Sequence, residues 1–306
     1  MERDSADGSG NRADVRDFLI SRRARITPDQ VGFPVAGRRR VPGLRREEVA
    51  VLAGVSTEWY VRLERGNING VSRGVLEAVA RALRLDDEER TYLLELAQAA
   101  RSSASAPGPE PTPPLPANIQ WLLDGMTLSA AMVSDSRQDV LAVNALGRAL
   151  YAPLFASDTN RDHSRANLAR YHFLDPGAQD FYGNWHETAD MLVASLRAEA
   201  GRNPNHESIR DLVGELSDAS AEFRKRWASH NILIHQQGSK TFRHPRAGEL
   251  RLSYQSMDLP ISAHIAVHVC TCTAEPGSAA EDLLKLLASW NAPLQARDSH
   301  STDTWR

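Results

Sequence analysis

The side chains best suited to act on another molecule are Thr57, Glu58 and Arg62, with Ser56, Trp59 and Arg65 beside them. If this stretch is a helix, Tyr60 and Leu63 take the inward side and the others are left for contact with a partner. A carboxylate and a guanidinium one turn apart can read base edges: Glu58 can accept from cytosine N4, and Arg62 can donate to guanine. Upstream, Arg38, Arg39 and Arg40 form a triplet, followed by Arg45 and Arg46. Such a cluster suits phosphate contacts, which supply affinity without sequence information.

Other chemistries fit less well. The second half carries His163, His172, His186, His206, His230, His235, His244, His264 and His268. Yet the chain has no His-Glu-x-x-His, no Cys-x-x-Cys and no glycine-rich phosphate loop. His264 and His268 lie on a predicted strand, where they stand about 13 Å apart. The two cysteines, Cys270 and Cys272, share one face of that strand with His268. They read either as a soft-metal or redox cluster or as core filler. Neither a catalytic residue nor a metal site is assigned. For a small ligand, Trp185, Phe223, Trp227 and Tyr254 can line a cavity or serve as plain core. Arg170, Arg197 or Arg243 can meet a carboxylate. His172 and His230 read as structural histidines.

The elements that would hold these groups come from spacing and punctuation. Val49, Leu52 and Ala53 define one face of a helix from Arg46. Ala50 leaves room for a crossing helix, and Gly54 supplies a left-handed stop. Ser56 caps the next helix. This is helix-turn-helix spacing, although an ordinary helical hairpin has the same pattern. Around it, residues 1–14 read as disordered, and 15–25 as a first helix that ends before Pro28. Two more helices follow, one capped by Ser72 and one by Asp86, the latter with Glu89 completing a capping box. Five helices over 15–100 make a compact all-α domain. Residues 101–118 hold prolines, serines and no large core-forming cluster, and read as a semi-rigid linker.

Beyond the linker, the pattern predicts a second domain over 119–292, with 293–306 as a disordered tail. Strands are expected at 130–134, 140–144, 240–244, 248–254 and 265–270. Helices are expected at 119–123, 146–155, 165–174, 186–200, 209–230 and 279–290. Strands at both ends of a helical middle give an α+β layer, and the whole a multidomain fold.

The totals agree with two domains. The chain has 306 residues, of which 42% are hydrophobic and 25% charged, with a formal net charge of -3. Between residues 16 and 65, however, eleven arginines face six acids. A basic end on an acidic chain favours a polyanionic partner. No apolar run reaches the roughly 20 residues needed to span a bilayer. The polar start has no apolar signal core. A cytoplasmic setting and no membrane partner are expected.

The run from Arg38 to Ala50, then Leu52-Ala53-Gly54-Val55-Ser56, Tyr60 and Arg62-Leu63-Glu64, resembles the XRE/phage-repressor helix-turn-helix class, particularly actinobacterial MmyB-like regulators. The resemblance implies a five-helix repressor-like domain with 56–65 as the recognition helix. Asp139 to Asn144, Phe223 to His230, Lys240 to Pro245, Gly248-Glu249-Leu250, Tyr254 and Thr273 to Ser278 resemble the MmyB-like ligand-binding domain, similar to a PAS fold. That implies a regulator of transcription sensing a small, apolar, fatty-acid-like molecule, with double-stranded operator DNA as partner and a homodimer as the working form. Two other readings stay open: a constitutive DNA binder whose second domain only dimerises, and a metal or redox sensor or DNA-targeted enzyme.

Overall fold

The computed structural model describes residues 4–33, 43–102, 114–204, 206–229, 236–262 and 266–291. Arg38, Arg39 and Arg40, most of the expected linker, His230, His235, His264 and the tail lie outside the described residues.

The N-terminal unit comprises α1 (Asp4–Arg25), α2 (Arg46–Ala53), α3 (Thr57–Glu64), α4 (Arg73–Ala82) and α5 (Asp87–Ser102). Its core is Phe18, Leu19, Leu44, Val49, Tyr60, Leu63, Leu76, Val79, Leu93 and Leu96, all nearly inaccessible. Three corrections to the sequence reading appear here. The first helix does not start at Val15: residues 4–14, expected to be disordered, continue it backwards. Asn11 is buried, and its side-chain amide donates to the Leu96 carbonyl at 3.1 Å, so α5 holds the extension in place. Leu52, expected on the inward face of α2, is 38% exposed, and the neighbouring Ala50 takes the core position. The helix α5 runs on to Ser102, into the segment expected to be linker.

The C-terminal unit opens with α6 (Ala117–Asp124), β1 (Ser129–Ser134), β2 (Val140–Val143), α7 (Ala145–Leu150) and α8 (Ala152–Ala156). A helical middle follows: α9 (Leu168–Leu174), α10 (Gly177–Phe181), α11 (Trp185–Arg202), α12 (Glu207–Ala219) and α13 (Ala221–Ala228). The chain closes with β3 (Gln237–His244), β4 (Gly248–Pro260), β5 (Ala266–Thr273) and α14 (Ala279–Asn291). The sheet order is β2-β1-β5-β4-β3, every pair antiparallel. Chain-distant strands β1 and β5 therefore meet at its centre, which fixes the helical middle as an insertion over one face. This is the expected α+β, PAS-like layout.

Two expected helices are each two. Pro153 has no N–H to continue the ladder, so 146–155 divides at Tyr151 into α7 and α8. The 209–230 segment breaks at Ser220, whose backbone turns extended and whose hydroxyl accepts from Phe223 N at 3.2 Å to cap α13.

The units meet along α5 and α11. Gly201 lies so close to α5 that a Cβ there would stand 2.6 Å from Cε2 of Tyr92. Arg197 of α11 is buried, with its guanidinium 4.0 Å from the Trp227 ring centre, a bond to the Trp227 carbonyl, and Asp14 of α1 at 4.0 Å. Arg202 reaches Glu95 of α5 at 3.4 Å. No helix among the described residues is long and apolar enough to cross a membrane.

Candidate DNA interface and ligand cavity

The helix expected to enter DNA, α3, is aimed by a short set of local bonds. Gly54 adopts φ 68°, the left-handed conformation that ends α2 and that a β-carbon would strain. Ser56 then accepts from the Trp59 amide at 3.1 Å and starts α3. Tyr60 and Leu63 are buried in the core, and Trp59 packs half-buried against its edge. Thr57, Glu58, Arg62 and Arg65 are exposed. Glu58, Arg62 and Arg65 fall at i, i+4 and i+7, so they form one outward stripe. Among the described residues neither Arg62 nor Arg65 has an ion-pair partner, so both are free to meet a polyanion.

Glu64 sets the angle of this helix, a role that residue spacing does not reveal. Its carboxylate is 1% exposed and accepts from Arg23 at 2.8 and 3.2 Å and from Arg46 at 3.1 Å. One anion thereby ties α3 to α1 and to the start of α2. Arg46, expected to contact phosphate, is half exposed, so it can serve Glu64 and still face DNA. The signal available in the sequence was an acid placed between Leu63 and Arg65, at the inward edge of the helix.

The second candidate site is a cavity of about 430 Å³ between the two units. Its walls come from Thr91, Tyr92 and Glu95 of α5, Thr188, Met191, Leu192 and Ala198 of α11, and Lys240, Tyr254, Asp258, His268 and Cys270 of the sheet. Volume and mixed lining match a small-molecule site. The Lys240 ammonium lies 4.6 Å over the Tyr254 ring centre. Burial opposes its charge, but Cys270, Cys272 and Tyr254 outweigh it and hold its pKa above the ordinary lysine value. Thr188 is 4% exposed and its hydroxyl has no partner among the described residues. A buried unpaired hydroxyl inside a cavity is a vacancy for a ligand's polar atom. At one edge His268 Nδ1 pairs with Asp258 at 2.6 Å, which pulls the Asp258 carboxyl below its usual range.

Of the five residues expected to hold a ligand, only Tyr254 lines this cavity. Arg170 is taken up by Glu215, which accepts from its Nε at 2.8 Å and from its Nη2 at 2.8 Å. Trp185 stacks on His172 at 4.7 Å and donates its indole N–H to the His172 carbonyl at 3.2 Å. Phe223 and Trp227 stack on each other at 5.6 Å, and Trp227 covers Arg197. None of these four lines this cavity. Arg197 is buried under Trp227 and Arg243 reaches Glu249 at 3.7 Å, so neither offers the cavity a cation. Lys240, which lines the cavity, was not singled out from the sequence. It alternates with Phe242 and His244, both buried, which marks it as a charge on an inward strand face.

His172 is buried: its Nε2 lies 3.0 Å from the Trp185 carbonyl, its Nδ1 has no partner among the described residues, and burial pushes its pKa down to about 3. His244 bonds the Ala149 carbonyl through Nε2, and its Nδ1 accepts from Arg246 and Ala247 amides, shaping the β3–β4 turn. Both cysteines are free thiols, and no cluster of three or more His, Cys, Asp or Glu suited to a metal occurs among the described residues.

An exposed helix presenting Arg62 and Arg65 on a helix-turn-helix unit, joined to a unit with a small-molecule cavity, defines a ligand-responsive regulator of transcription. A family model for a helix-turn-helix domain matches residues 21–93. A second, the MmyB-like transcription regulator ligand binding domain, matches residues 115–287, and the chain belongs to that family. No curated protein matches the chain.

Proposed function

We propose that the chain is a cytoplasmic, homodimeric, sequence-specific DNA-binding regulator, without catalytic activity or a resident metal, whose effector is a small apolar acid of the fatty-acid kind. The observation that carries the ligand class is Lys240: a cation set in a cavity beside Met191, Leu192 and Leu168, with no carboxylate at ion-pair distance among the described residues. A carboxylate head would meet Lys240 and the free Thr188 hydroxyl, and its chain would cover the apolar side chains. Because Thr91, Tyr92 and Glu95 belong to the last helix of the DNA-binding unit, an occupant of this cavity touches both halves. That is the differential contact a ligand needs in order to shift an equilibrium.

At the DNA end, Arg38, Arg39, Arg40 and Arg46 serve as phosphate contacts, and Ser56, Trp59 and Arg65 flank the helix against the backbone. Thr57, Glu58 and Arg62 read bases. Two such helices on paired half-sites give the affinity that one lacks. The test is selection of bound DNA from a random pool with and without a medium-chain fatty acid, followed by titrations. Arg62→Ala is expected to cost ~1–3 kcal/mol of discrimination between the selected site and a scrambled one. Equal losses on both would refute base reading. Lys240→Gln is expected to weaken fatty-acid binding about tenfold.

A second reading is a constitutive DNA binder whose C-terminal unit only dimerises. It is favoured by the apolar side chains Trp121, Leu122 and Leu128, at 72%, 49% and 55% exposure on and just after α6. DNA affinity unchanged by any added acid, in a stable dimer by native mass spectrometry, would establish it.

A further inference from the structure

The two thiols on β5 differ in what they face. Cys270 is half-buried and lines the cavity, whereas Cys272 is buried and lies 3.6 Å from the Tyr151 hydroxyl. The strand register places Cys270 between Met132 of β1 and Ser256 of β4. Cys272 sits between Ala130 and Tyr254, one row along the same face. Lys240 borders the same cavity from β3, and the unpartnered Thr188 hydroxyl borders it from α11.

We propose that Cys270 is a covalent modification site, at which the thiolate adds to small α,β-unsaturated carbonyl compounds, enones and quinones, that enter the cavity. The sulfur lone pair forms a bond to the β-carbon, and the C=C π pair moves toward the carbonyl as an enolate. The enolate takes a proton from the Lys240 ammonium or from water, leaving a thioether, and Lys240 is reprotonated by solvent. No oxidant is consumed. Thr188, on the wall of the same cavity, carries a hydroxyl without a partner among the described residues, which can donate to the carbonyl oxygen on which charge develops.

The surroundings favour the thiolate at Cys270 in particular. The neighbouring Cys272 thiol holds Cys270 below the ordinary cysteine range, burial opposes this, and the Lys240 charge adds to the lowering. Cys272 is pushed up, chiefly by its neighbour Cys270. Tyr254 of β4, Tyr151 between α7 and α8, and Tyr182 after α10 are further titratable groups around the pair, and all three phenols are raised by burial. His268, Asp258, Glu95 and Arg202 stand at the cavity edge. An internal disulfide is the poorer outcome. Residues two apart on one strand have Cα atoms roughly 6.7 Å apart and parallel Cβ directions, at the limit of what a disulfide spans. Adding an outside electrophile requires no movement of β5.

The test treats the full-length protein with one equivalent of N-ethylmaleimide at pH 6.5, followed by intact mass and peptide mapping. A single adduct on Cys270 is expected, forming at least threefold faster than on the same residue of the urea-unfolded chain. Lys240→Gln is expected to slow it about threefold when the reaction is repeated at pH 5, below the thiol's pKa, where a one-unit rise in that pKa cuts thiolate about tenfold and returns about threefold in nucleophilicity. Adduct on Cys272, or a Cys270 rate no greater than in urea, overturns the proposal. Whether the adduct also alters DNA affinity rests on the regulator reading, and the mass measurement stands without it.

Discussion

The recognition helix and the cavity draw on the chain at different ranges. Within about twenty residues α2 ends at Gly54, Ser56 caps α3, and Glu58, Arg62 and Arg65 face outward. The cavity takes Tyr92, Thr188, Lys240 and Cys270 from segments up to 178 residues apart, and its shape exists only once α5 docks on α11. A surface reader needs a local scaffold and uncommitted charges. A sensor needs distant segments to converge and leave a gap. The two meet in α5, which belongs to one unit and forms a wall of the other's cavity.

The largest effect is expected where the local scaffold depends on one buried charge. Glu64→Ala leaves Arg23, nearly buried, without its carboxylate, and frees α3 from α1 and α2. Breaking a buried pair by removing one partner costs about 4 kcal/mol. Urea unfolding of the full chain should show that loss, and affinity for selected and scrambled DNA should fall together, because the helix loses its angle. A loss under ~1 kcal/mol would mean that α3 is held by Tyr60 and Leu63 alone.

The same contrast explains what the sequence revealed. The core positions of α3, its cap, and the capping box at Asp86 and Glu89 were legible because each partner lies within four residues. The backward extension of α1 was not, because its polar residues give no periodicity and Asn11 finds Leu96 85 residues away. The cavity was read poorly for a related reason. Arg170 and Trp227 have the right chemistry for a ligand, but Glu215 and Arg197, invisible to local spacing, already satisfy them. Lys240 carried a usable sign, a charge alternating with buried Phe242 and His244, and Tyr254 was found among aromatics that are otherwise core.

A second prediction concerns the joint between the units. Burial raises the Asp14 carboxyl to about 6, with Arg197 pulling the other way and Asp17 adding to the rise. The folded chain thus holds this proton more tightly than the unfolded chain, whose carboxyl titrates near ~3.9. The stabilisation is complete below pH ~4 and is lost as pH climbs through about 6. Asp14→Asn should remove about 2–3 kcal/mol of pH dependence across that window, seen as a flatter profile of urea midpoints than the parent chain gives. Profiles of equal slope would show that α1 leaves α11 before the carboxyl titrates.

The smallest expected change in stability probes whether coupling runs through the cavity edge. Glu95 of α5 and Arg202 of α11 approach to 3.4 Å, each side chain about a third exposed, and both border the cavity. Burial raises the Glu95 carboxyl and Arg202 only partly offsets it, so the ion pair adds little to the folded state. Glu95→Gln keeps the shape and removes the charge. Its cost should be about 0.5 kcal/mol, within the ~0.2–1 kcal/mol that partly solvated pairs contribute. The tight packing of Gly201 on Tyr92 remains to hold the units together. Binding has more at stake than folding does: without the Glu95 charge the cavity becomes more positive, and an acid held by Lys240 should bind two- to threefold more tightly. Isothermal titration of the variant with a medium-chain fatty acid measures the first quantity, and DNA titration at saturating acid measures the second. If affinity for the acid rises while its effect on DNA binding is unchanged, the edge tunes occupancy and the α5 wall transmits it. If the effect on DNA binding disappears, the Glu95–Arg202 pair is itself the link between the two regions.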